Sequence, residues 1–254
     1  MKLEYVPLLA KQRELYGLPG GAERFEEYLR TLIDPDETAD LRRPLSATSR
    51  MSPDHGTRLL DSLLTLGADE IGARAAAEAG AAVAEEPGEY RVGLVVSDDA
   101  GGGSSNRTTA EFAHRRGEEG LLGRGWIEGI LWTSQTYDAA GIREEVLTSV
   151  FRAAHIAKRG PARTLREILL QEGIAMRMAG ARNPALEPQT LLATRQILLR
   201  LLDHDDTPTL VAALFGDPAA RALGYQPLGL RPRAGLALAL HGRLEPRKKR
   251  DSRA

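Results

Sequence analysis

Apolar positions along the chain follow two periods, one helical and one strand-like, and the strand-like one is confined to a short island. Leu59, Leu60, Leu63 and Leu64 recur at helical spacing after His55 and predict a helix there. The alanine-rich run 68–86 predicts another, stopping before Pro87 and Gly88. Upstream, residues 3–33 read as two short helices joined at 17–21, the second carrying Phe25, Tyr28, Leu29 and Leu32 on one face. Residues 34–54 hold Pro35, Pro44 and Pro53 among many charges, which predicts an irregular connection with a brief extended piece at 45–48.

The island follows. Residues 91–96 read Arg-Val-Gly-Leu-Val-Val, a continuous apolar run of the kind found in strands covered on both faces. Residues 126–132, from Trp126 to Trp132, form a second strand candidate, with helical sequence at 109–118 between them. That order predicts a right-handed parallel βαβ unit, with a long antiparallel hairpin as the alternative.

Helical periodicity then resumes. Ile142, Val146, Val150 and Ala153 mark a helix over 139–158, and Pro161 is expected to start the next one as its first residue. The stripe of that helix is Leu165, Ile168, Leu169, Glu172, Met176 and Ala179, so a glutamate interrupts an apolar face. Further helices are expected at 189–202, 207–215 and 217–224, and the leucine-alanine run near 235–240 reads as a short one. The fold class is therefore α/β and predominantly helical, a small sheet at about 90–134 covered by helices. We expect one globular domain over 1–242, helical at 1–88 and 135–242 and βαβ-like at 89–134. A basic tail at 243–254 is expected to lack order.

Composition narrows the chemistry. The 254 residues contain no cysteine, which excludes disulfides, thiolate metal sites and a cysteine nucleophile. No apolar run reaches the length of a membrane helix and the start lacks a signal-peptide core, so no membrane role is expected and the expected address is the cytoplasm. A formal charge of −1 carries no nucleic-acid signature, and only the Arg-Lys-Lys-Arg run at 247–250 is strongly basic. Arginine greatly outnumbers lysine, a bias that fits a GC-rich bacterial genome and has no functional weight.

The strongest candidate site is the loop after the first predicted strand. Asp98 and Asp99 end the strand, three glycines follow at 101–103, and Ser104, Ser105, Asn106 and Arg107 add donors before a helix. In α/β sheets, ligands sit beyond the carboxyl ends of strands, where loop amides and a helix N-terminus face an anion. Arg107 suits a phosphate or carboxylate, and the aspartates suit hydroxyls or a divalent cation. The loop matches neither the P-loop spacing nor the dinucleotide fingerprint.

Glu111 and His114 share one helical face, but the Glu-x-x-His pair occurs once where di-iron bundles use two, and Thr108 with Glu111 reads as a capping box. His114 stays a candidate acid or base, as does Glu172, whose alternative is a buried salt bridge. The run Asp203, His204, Asp205, Asp206 reads as a loop that supplies an aspartate cap to the next helix. Trp126 and Trp132 point to one side of a strand and read as core anchors. No G-x-S-x-G elbow and no S-x-x-K motif occurs. The leading expectation is a small anionic ligand bound, or turned over, where the 97–108 loop meets the 139–179 helices. No metal or cofactor is identified. The alternative is a non-enzymatic helical protein that binds a protein partner or forms a homo-oligomer.

Overall fold

The computed structural model describes residues 1–18, 22, 26, 27, 53–100, 106–117 and 122–241. It is a mostly helical α/β structure, with a three-stranded parallel sheet and ten α-helices among those residues. The chain divides into two compact units, Met1–Pro161 and Ala162–Ala254. No described helix is long and apolar enough to cross a membrane.

The first unit holds the sheet. Its strands are β1 (Lys2–Tyr5), β2 (Glu89–Ser97) and β3 (Trp126–Trp132), side by side in chain order and all parallel. Its helices are α1 (Leu8–Gly17), α2 (Pro53–Leu66), α3 (Ala68–Ala82), α4 (Arg107–Arg116) and α5 (Ala139–Arg159). The βαβ expectation holds for β2, α4 and β3, and the pairing is parallel rather than a hairpin. The first strand is a correction, because the first of the two helices expected over 3–33 was to begin at its start and Lys2–Tyr5 is extended instead. Its residues alternate between exposed and half-buried, so the edge strand carries no apolar run to announce it. Phe25, Tyr28, Leu29, Leu32, the piece at 45–48 and the tail at 243–254 lie outside the described residues.

Both faces of the sheet are covered, as the apolar runs in β2 and β3 require. On one face Leu8 and Leu15 of α1, with Ala110 of α4, pack on Val95, Ile130, Trp126 and Trp132. Both tryptophans are therefore core residues on one side of β3. The opposite face is revealed by Gly129, which pairs with Leu94: a Cβ there would meet Leu94 and Glu145 of α5. Helices α3 and α5 pack on each other and on the sheet. Where β1 stops, the sheet continues through a side chain. Gln12, 1% exposed, donates to the Val96 carbonyl at 3.1 Å and accepts from the Val96 amide at 2.8 Å, as a neighbouring strand would.

The second unit consists of α6 (Leu165–Met178), α7 (Pro188–Leu198), α8 (Thr207–Phe215), α9 (Asp217–Ala222) and α10 (Ala234–Leu240). All seven residues of α10 are buried, and α6, α7 and α8 pack around it. A helix that is apolar all round belongs in a core, which is why its leucine-alanine run shows no amphipathic period. Arg177 of α6 closes its C-terminus by donating to the Ala239 carbonyl at 2.7 Å. Helix α6 begins at Leu165 rather than Pro161. Thr164 and Glu167 form a reciprocal capping box there, so the cap and not the proline sets the boundary.

Candidate functional site

The register Ser97↔Trp132 places the residues that follow β2 beside those that follow β3. Thr133 continues the ladder by donating its amide to the Ser97 carbonyl at 3.1 Å. Its hydroxyl donates to Asp98 Oδ1 at 2.5 Å and accepts from the amides of Asp99 and Ala100 at 3.2 and 3.3 Å. Ser134 holds the second aspartate, its amide 2.9 Å from Asp99 Oδ1 and its hydroxyl 2.6 Å from Oδ2. Asp98 is fully buried, so these bonds offset part of the cost of removing a carboxylate from water.

Helix α4 brings Arg107 to the same end of the sheet. Asn106 caps the helix by accepting from the Thr109 amide at 3.1 Å. The capping box expected from Thr108 and Glu111 is therefore corrected: Glu111 instead takes two arginines. It accepts from Arg107 Nε at 2.7 Å and meets Arg115 Nη1 at 3.0 Å, both four residues away along the helix. Arg107 Nη1 lies 3.7 Å from Asp99 Oδ2, and the guanidinium stacks 5.4 Å above the Trp132 ring. Such a stack contributes about 0.5–1 kcal/mol at a partly exposed site.

Gln135 completes the clasp. With its amide oxygen turned to Arg107 it accepts from Nη1 and Nη2 at 3.1 and 2.9 Å, and its nitrogen donates to Tyr137 at 3.1 Å. The Tyr137 hydroxyl also accepts from the Trp132 amide at 2.6 Å. Burial pushes that hydroxyl above the ordinary phenol range, so it stays neutral and free to donate.

Helix α2 adds a residue that local sequence did not single out. His55, in its first turn, places Nδ1 at 3.5 Å from Asp98 Oδ1. That nitrogen is shut off from solvent while the side chain as a whole is 31% exposed. The site thus joins His55, Asp98, Asp99, Arg107, Thr133, Ser134, Gln135 and Tyr137, all from one unit.

Of the residues proposed from sequence, Asp98, Asp99 and Arg107 come together here, while Asn106 is exposed and serves as the cap of α4. Ser104 and the glycines at 101–103 lie outside the described residues. His114 sits two turns along α4 from Arg107, roughly 10 Å at 1.5 Å per residue. There it lines a different recess of about 40 Å³ with Trp126, Glu128, Ser149 and Arg152. Glu172 belongs to the second unit, where it is fully buried and accepts from the Gln171 side chain at 3.2 Å. Among the described residues no group of three or more histidines and carboxylates is placed to hold a metal ion. Thr133 and Ser134 had a readable signal, since they follow β3 as Asp98 and Asp99 follow β2. His55 had none, because 43 residues separate it from Asp98 in the chain.

Comparison with protein-family models, with curated proteins and with solved structures produced no match.

Proposed function

We propose that the first unit binds a small hydroxylated anion at the carboxyl end of its sheet, with Arg107 meeting the negative group and Asp99 accepting ligand hydroxyls. The observation that carries this reading is the fixed geometry of Arg107. Its guanidinium is held by Glu111, Gln135 and Trp132 beside Asp99, yet keeps 26% of its side-chain exposure. A guanidinium already ordered in the free protein loses little rotamer entropy when a ligand arrives. Charge sets a limit on the ligand. Asp99 and Glu111 face Arg107 and Arg115, and Asp98 faces His55, so the neighbourhood repels a polyanion and suits a molecule with one anionic group and several hydroxyls.

Thermal denaturation of the whole chain tests the reading, with inorganic phosphate, lactate and ribose 5-phosphate as probes. A ligand at ten times its Kd stabilises by about 1.4 kcal/mol, which raises the midpoint by a few degrees. Arg107→Lys keeps the charge and loses the fork, so it is expected to abolish most of the response. If no probe moves the wild-type midpoint, the reading is abandoned. If Arg107→Lys responds as the wild type does, Arg107 is not the anion contact.

A second reading, that the chain docks onto a protein partner or a second copy, draws on the second unit. Leu192 and Leu199 are 53% and 39% exposed and seven residues apart, on one side of α7 and the turn that follows it, and Leu170 and Met178 are exposed on α6. Single exposed apolar residues are ordinary, so its weight rests on the shared side of Leu192 and Leu199.

A further inference from the structure

We infer that His55 is the general base of this site and that Asp98 is its positioning residue, so that the first unit transfers a proton and does not only bind. The inference rests on the ligand-site reading above. The geometry is that of an imidazole held from behind. Asp98 is 0% exposed and its Oδ1 faces His55 Nδ1 at 3.5 Å. The same oxygen takes the Thr133 hydroxyl at 2.5 Å, and the Ala100 amide lies 3.3 Å from it, so the carboxylate cannot turn away from the ring without breaking both. Among the described residues Nδ1 has no closer hydrogen-bond partner, and it is closed to solvent. The exposure of the side chain therefore belongs to its atoms other than Nδ1.

A carboxylate behind Nδ1 favours the tautomer that carries its proton there, which leaves the Nε2 lone pair bare. The separation is long for a hydrogen bond, as such pairs often are before a ligand closes the site. The step is a simple transfer. A hydroxyl of the ligand, or of a water beside it, gives its proton to Nε2, and the O–H electron pair stays on oxygen. The ring becomes an imidazolium whose charge faces Asp98, and the proton returns from Nε2 when the step reverses or a leaving group collects it. Asp99, Ser134 and Arg107 border the same strand ends and hold the ligand rather than the proton. This places the acid–base function on α2 instead of on His114.

Two measurements on the full chain decide it. Two-bond proton–nitrogen correlation of the histidine rings at about pH 8.5, two units above the ordinary imidazole value, reports the tautomer. The expected result for His55 is the form protonated on Nδ1, moving toward the Nε2-protonated form in Asp98→Asn. A wild-type ring protonated on Nε2 overturns the proposal. Carbethoxylation by diethyl pyrocarbonate then reports the lone pair, since the imidazole nitrogen attacks a carbonyl of the anhydride and ethyl carbonate leaves. His55 is expected to react about tenfold faster than His241, although His241 is exposed and His55 only half-buried, and Asp98→Asn is expected to erase the difference. Equal or slower reaction of His55 overturns the proposal. If Asp98→Asn fails to fold, the wild-type tautomer and the wild-type rates still decide. A chain that passes both tests but answers none of the ligand probes loses the binding reading and keeps a reactive His55. The opposite pattern keeps the ligand and removes the base.

Discussion

Hydrogen bonds from Thr209 set the pH behaviour of Asp206. It caps α8 by accepting from the Thr209 amide at 2.9 Å, and that backbone bond, with a second from the Thr209 side chain, holds its carboxyl down to about 2. The folded-state value lies below the ordinary one, so the stabilisation is present in full above about pH 4 and is lost as pH falls through about 2. Asp206→Ala is expected to cost about 1 kcal/mol at neutral pH by urea denaturation, and the difference from wild type should shrink by pH 2.5. An unchanged difference at the lower pH would mean the cap acts without its charge. Asp217 uses the same device more heavily. Burial opposes ionisation, yet the amides of Leu230, Leu228 and Gly229 hold its carboxyl below the usual range. At this scale the local residues were readable: an aspartate cap before α8 follows from Asp206, Thr207 and Pro208 alone.

Between elements, the close approach of helices depends on two glycines. A Cβ on Gly235 of α10 would collide with the Ala213 carbonyl oxygen of α8 and lie 2.9 Å from Leu214 Cα. A Cβ on Gly173 of α6 would come within 2.5 Å of the Ala239 carbonyl oxygen. These obstacles are backbone, which cannot rotate aside as a side chain can. Gly235→Ala is therefore expected to destabilise by about 1–3 kcal/mol or more, despite the better helix propensity of alanine. Gly123→Ala, with open space around it, should stay within about 0.5 kcal/mol of wild type. Equal midpoints for the two variants in denaturant would show that α10 has room to shift. Such contacts leave no local mark, because a glycine in a helix reads only as a weak position until the facing helix is known.

For the whole molecule, the exposed Leu192 and Leu199 separate the two functional readings. If that surface joins two copies, light scattering of the wild type should give a dimer or larger species, and Leu192→Lys with Leu199→Lys should return it to monomer. A wild type that stays monomeric across the concentration range rejects self-association. The same double variant leaves the ligand site of the first unit untouched, so its response to phosphate probes should match the wild type.

Hydrophobic periodicity determined most of the architecture without any structure. The valine run of β2, the tryptophan-bounded β3, the helix between them and the long stripes of α5 and α6 all follow from burial, which acts on every turn or every second residue and so writes itself into local order. The edge strand β1 escaped because a half-exposed strand needs no such pattern, and α10 shows no amphipathic period because a wholly buried helix needs none either. At the site, Asp98, Asp99 and Arg107 were legible since they end a strand and begin a helix. Tertiary structure alone brought His55 from α2 to Asp98 and set Thr133 and Ser134 against the aspartates. Those contacts join residues tens of positions apart, and a pair potential between distant side chains has no period to read.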